Sequence, residues 1–185
     1  MSATTRFVLA ASIMAAAALP TPAQAKILKY HVALNGQYGS SPTGSTAIGH
    51  ATVHVDTVTR RVSVDLDVAG ITIDDLWDKL VAAPIGPIHF HEYGSAMSSG
   101  AMSSGAMNSS SMLVLPLPFG PAYRPTPAGL HVTMKDFDYA SDAALVQSTL
   151  SFDDFVAAIN KGLIILNVHT DKFNPGEISG LVVPD

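Results

Sequence analysis

Ala47-Ile48-Gly49-His50-Ala51-Thr52-Val53-His54-Val55-Asp56 and Arg61-Val62-Ser63-Val64-Asp65-Leu66-Asp67-Val68 are two runs joined by Thr57-Val58-Thr59-Arg60. Ala51, Val53 and Val55 recur on every second residue of the first, and Val62, Val64, Leu66 and Val68 do so in the second. Successive side chains of a strand point to opposite faces, so each run carries one apolar face, and the residues between them suit a hairpin turn. Arg61, Ser63, Asp65 and Asp67 then face water, which predicts an antiparallel sheet with one wet side.

The same alternation extends outward. Lys26 to Leu34 sets Leu28, Tyr30, Val32 and Leu34 against Lys29, His31 and Ala33, a half-buried first strand. After Gly70, acidic and apolar residues at helical spacing predict a short helix over 74–81. Strands follow over Pro87 to Gly94, Leu113 to Leu117 and Leu130 to Met134, the last two separated by a proline-rich loop from Pro116 to Pro127. Ser151-Phe152-Asp153-Asp154 has the shape of a capping box, and Phe152, Phe155, Val156 and Ile159 trace one helical face until Lys161-Gly162 stops it. Leu163 to Val168 reads as a strand buried on both faces, and Glu177 to Val183 as the last strand. Many short strands with one or two short helices in loops predict an all-β fold, a Greek-key antiparallel β-sandwich.

Arg6, the apolar run Phe7 to Leu19 and the small-residue site Ala23-Gln24-Ala25 predict a signal peptide over 1–25. One domain then spans 26–185, exported to the periplasm or the medium. No apolar stretch approaches the length of a membrane span. The chain has no cysteine, which excludes disulfides and thiolate metal sites, and its 15 acidic against 10 basic residues argue against nucleic acid as a partner. Over 95–111, Ala-Met-Ser-Ser-Gly recurs, a step matching neither helix nor strand, and predicts a flexible Met/Ser/Gly-rich insertion.

Within Pro87 to Gly94, His89 and His91 share one strand face, roughly 6.6 Å apart along the chain. Two imidazoles so placed can chelate one ion. His169, in Asn167-Val168-His169-Thr170, supplies a third if the two strands are neighbours. Three imidazoles suit copper or zinc, with water or substrate completing the shell, and copper is expected ahead of zinc. His131 is a further candidate ligand, as are Met97, Met102, Met107 and Met112, whose thioethers prefer Cu(I). His31, His50 and His54 read as solvated surface residues. Glu92 points away from the His89/His91 face.

These residues also carry a resemblance. The segment Gly49 to Gly70, the H-x-H strand, Asn167-Val168-His169-Thr170 and Asn174-Pro175-Gly176-Glu177-Ile178-Ser179-Gly180 resemble the chordin-type (CHRD) domain family. The likeness implies an exported β-sandwich module. Ser179 stands where that family commonly carries arginine. More locally, His89-Phe90-His91-Glu92-Tyr93-Gly94 is similar to the copper-ligand strand of copper-zinc superoxide dismutases, and Val168-His169 to a later ligand strand, which implies His89, His91 and His169 as copper ligands. The bridging histidine and zinc loop, the cysteines and the arginine loop of those enzymes find no match, so a catalytic role is not implied. The expected function is a binding module holding a copper or other transition-metal ion. Two other readings stay open: a metal-free envelope or extracellular domain that binds a protein or polysaccharide through its surface, and a copper redox enzyme.

Overall fold

The computed structural model describes residues 26–38, 42–93 and 111–185. The predicted signal peptide and nearly all of the Met-rich insertion, with Met97, Met102 and Met107, lie outside the described residues. The strands are β1 (Ile27–Asn35), β2 (Ile48–Asp56), β3 (Arg61–Ala69), β4 (Ile88–Glu92), β5 (Met112–Leu117), β6 (Tyr123–Thr126), β7 (Gly129–Asp138), β8 (Ile164–Val168) and β9 (Ile178–Pro184). Helices α1 (Asp78–Val81), α2 (Tyr139–Leu145) and α3 (Phe152–Asn160) lie in the connections.

The β2–β3 hairpin forms as predicted, with Val53 opposite Val64 and Val55 opposite Val62 and all of its alternating apolar residues buried. The strands form one antiparallel sheet in the order β5-β4-β8-β9-β1-β2-β3-β7-β6. Its two edge strands, β5 and β6, are consecutive in sequence. A flat sheet of this width would hold its edges about 38 Å apart, whereas the five residues 118–122 reach about 20 Å. The sheet must therefore curl until its ends face each other, and the result is the predicted all-β sandwich around one apolar core.

Tyr123 fastens that closure, its buried hydroxyl donating to the Leu117 carbonyl at 2.6 Å. Tyr123→Phe keeps the ring and orphans a buried carbonyl lone pair, so a loss of about 1–2 kcal/mol is expected in urea unfolding. No change would mean that the ring alone closes the sheet.

Ser151 caps α3 as predicted, accepting from the Asp154 amide, and Phe152, Phe155, Ala158 and Ile159 are buried. Phe155 meets Phe90 of β4 edge-on at 6.4 Å between ring centres, so α3 seals the core. The other elements differ from expectation in three places. The predicted helix over 74–81 breaks into a single 3-10 turn, Ile73–Asp75, and the four-residue α1. Leu76 between them is extended because it bridges Thr170, and the Trp77 amide donates to the His169 carbonyl. The proline-rich loop contains β6, an edge strand in which Pro125 costs no needed donor. Helix α2 was not expected; Asp138 caps it through the Ser141 amide, and only Tyr139 and Ala143 are buried.

Candidate metal centre

Strand β4 turns Ile88 and Phe90 into the core, as period two requires, and leaves His89 and His91 on the sheet's other face. Strand β8 lies beside it, with Ile88 opposite Val168 and His89 opposite Asn167. His169 is the first residue beyond β8, and its amide donates to the Pro87 carbonyl. The chain leaves strand geometry there, and the His169 ring stacks on that of His89, centres 4.4 Å apart and planes within 23°. His91 stands 4.7 Å from His89 and 6.1 Å from His169 between ring centres. One nitrogen of each of the three lies within 4.8 Å of the others.

Two backbone carbonyls set the tautomers. His89 Nδ1 lies 3.1 Å from the Gly86 carbonyl and His169 Nδ1 2.7 Å from the Asn174 carbonyl. A carbonyl only accepts, so both Nδ1 atoms carry the proton and both Nε2 atoms present a lone pair. Among the described residues, His169 Nε2 is buried without a partner, and so are both ring nitrogens of His91. His89 and His169 are 3% and 6% exposed. Burial, with the neighbouring imidazoles adding to it, lowers His89 from its ordinary value to about 2 and His91 to about 4. Burial also lowers His169, its bond to Asn174 opposing. All three are neutral at pH 7, the form that binds metal.

The turn after His169 is fixed from several sides. Asn174 Nδ2 donates to the Thr170 and Asp171 carbonyls. Glu177 accepts from Thr170 Oγ1 at 2.7 Å and from Ser45 Oγ at 2.6 Å, and its carbonyl accepts from Thr43 Oγ1. The Asn-Pro-Gly-Glu piece is thus a clasp that holds the β1–β2 connection against the turn that aims His169.

Neither described minor candidate joins the group. His131 sits on β7, separated from β4 by five strands in the sheet order, where its Nδ1 is 2.8 Å from Asp67 and its Nε2 2.7 Å from Thr133 Oγ1. His131 groups instead with Asp65 and Asp67, one ligand atom of each lying within 4.8 Å of the others. Met112 begins β5 opposite Glu92, its sulfur 3.5 Å from the Thr149 hydroxyl. Sequence reasoning did not single out Asn167 as part of the site. It is 2% exposed, and its Oδ1 is buried with no partner among the described residues. Its placement opposite His89 was hidden because the β4–β8 pairing joins strands far apart in the chain.

The donor set fits a transition-metal ion. Three neutral imidazoles satisfy copper or zinc, at about 2.0–2.1 Å per bond, and a bound ion would give the buried nitrogens of His91 and His169 the partner they lack. The group contains no carboxylate to favour magnesium or calcium.

Among the described residues, no helix is long and apolar enough to cross a membrane. Searches of curated proteins and of solved structures find no match to the chain. The CHRD domain model matches residues 30–182, from within β1 to within β9 and including all three histidines, and the chain belongs to the CHRD family.

Proposed function

We propose that this CHRD domain is an exported metal-binding module in which His89, His91 and His169 hold one transition-metal ion, copper in preference to zinc. CHRD domains generally occur in extracellular or secreted proteins, which supports the placement outside the cytoplasm. The observation that carries the metal is the unpartnered state of His91 and of His169 Nε2 in a buried cluster. A buried polar atom left without a partner costs about 1–3 kcal/mol. A histidine kept for packing would use its nitrogens within the fold. His91 uses neither, and the two Nδ1 bonds of its neighbours are the kind that orient a ligand ring and fix its tautomer. The ion would supply a Lewis-acid centre, and with copper a one-electron centre; the chain's residues hold and orient it.

Calorimetric titration of the purified protein with Cu(II) and Zn(II) tests this. One copper ion per chain is expected, bound at micromolar Kd or tighter, weakened at least 100-fold in His91→Ala and unaffected by deletion of 95–110. If neither metal binds wild type more tightly than about 0.1 mM, roughly −5.5 kcal/mol, the metal reading falls and a protein or polysaccharide partner takes its place.

A further inference from the structure

We propose that the Asn167 carboxamide gives the metal centre its preference for a small protonated oxygen donor, water in the simplest case, at the position the imidazoles leave open. The inference rests on the three-histidine reading above. Three ligands leave at least one position of a copper or zinc ion for a molecule from solution. What that molecule can be depends on the groups beside it.

Asn167 is placed to be one of them. It pairs with His89 across the β4–β8 register, so the two side chains leave the sheet on the same face, with Cβ atoms about 5 Å apart. It is almost wholly buried, yet its Oδ1 has no hydrogen-bond partner among the described residues. Its Cγ and Nδ2 each lie 3.8 Å from where a Cβ on Gly176 would stand, which puts the amide nitrogen on the side of the turn. Buried carbonyl oxygens are almost always satisfied, and this one is an acceptor. The nearby Nε2 atoms of His89 and His169 are acceptors too, since their Nδ1 atoms hold the protons. A molecule that gives a lone pair to an ion on the imidazoles and a proton to Asn167 Oδ1 satisfies both demands. Water, an alcohol or a hydroperoxide does so. Azide and chloride bring a lone pair and no proton, and the site disfavours them. Asn167 is thus a positioning residue, acting on the incoming molecule while the histidines hold the ion.

The test compares wild type with Asn167→Leu, which keeps shape and removes the acceptor. In the copper-loaded wild type, water-proton relaxation is expected to report one coordinated water. In Asn167→Leu, copper affinity is expected within threefold of wild type, while azide, titrated by the Cu(II) electron paramagnetic resonance spectrum, binds at least fivefold tighter. The metal-free variant is expected to melt no lower than wild type, because no hydrogen bond is lost. The proposal is overturned if azide affinity moves by less than twofold or if wild-type copper carries no water. It is also overturned if copper affinity falls more than tenfold, which would make Oδ1 a direct ligand, or if the metal-free variant melts lower with its azide affinity unmoved, a purely structural role. Failure of the three-histidine reading would appear separately, as a wild type that binds no copper.

Discussion

Lowering the pH from about 7.5 to about 5 is expected to cost the metal-free protein on the order of 4 kcal/mol through His89 and His91, with His169 adding to it. Burial holds His89 down at about 2 and His91 at about 4, and lowers His169, against an ordinary 6.5. An unfolded chain takes up these protons as the pH falls below about 6.5, while the folded chain refuses them until much lower pH. Stability is therefore full above about 6.5 and declines below it, by up to about 1.4 kcal/mol per pH unit for each imidazole. That is a large share of the 5–15 kcal/mol that holds a typical domain together. The carboxylates lowered by local hydrogen bonds, Asp56, Asp75 and Asp138, begin to matter only near their ordinary 3.8 and below, while Asp142, raised by burial and by Asp138, works against the histidine loss at the acid end of the window. Urea midpoints at pH 7.5, 6 and 5 would measure the slope. His91→Leu, which breaks no hydrogen bond, should flatten it by about 1.4 kcal/mol per unit, whereas bound copper should raise the midpoints without flattening the slope, because the engaged rings still take up no proton in the folded state. Equal midpoints at all three pH values would mean that the three rings are solvated and that no buried site exists.

How much of this centre could be read beforehand follows from the range of each interaction. His89 and His91 were legible because a strand's period of two is a local property, and Ile88 and Phe90 between them marked which face was core. His169 was legible only on the condition that its strand lie beside that of His89 and His91, since nothing local says that a residue just past a strand will fold back onto another strand. Asn167 was in view within the same piece, but the pairing that sets it opposite His89 joins residues far apart in sequence, and its orphaned oxygen is a property of the packed state. The helix expected over 74–81 failed for a related reason: its acidic and apolar spacing was real, but the bridge from Leu76 to Thr170 took its middle into extended geometry. Helix α2 went unread because only two of its residues are buried, too few to trace a stripe. The sandwich class came from alternation in most strands; the curl that closes it came from the short β5–β6 link, whose second strand a proline-rich composition had disguised as loop.

Gly86→Ala is expected to lower stability by about 3 kcal/mol or more and to weaken metal binding 10–100-fold. Gly86 has φ of +71°, in the left-handed region, and a Cβ there would stand inside the Leu117 carbonyl group at the end of β5. That carbonyl also receives the Tyr123 hydroxyl that closes the sheet, so relief by moving β5 strains the closure. Relief by moving residue 86 instead displaces the carbonyl that accepts from His89 Nδ1, and with it the tautomer and aim of the ring. Either way the histidine cluster and the sheet edge are perturbed together, because one glycine touches both. Gly44→Ala is the control: φ is +70° there, yet nothing lies within 4 Å of the added carbon, so only the backbone cost of about 1–2 kcal/mol is expected. Urea unfolding of both variants, with copper titration of whatever folds, separates the effects. Equal losses of stability would show that positive φ alone explains Gly86. A large loss at Gly86 with unchanged copper affinity would show that His89 does not need this carbonyl to hold its ring.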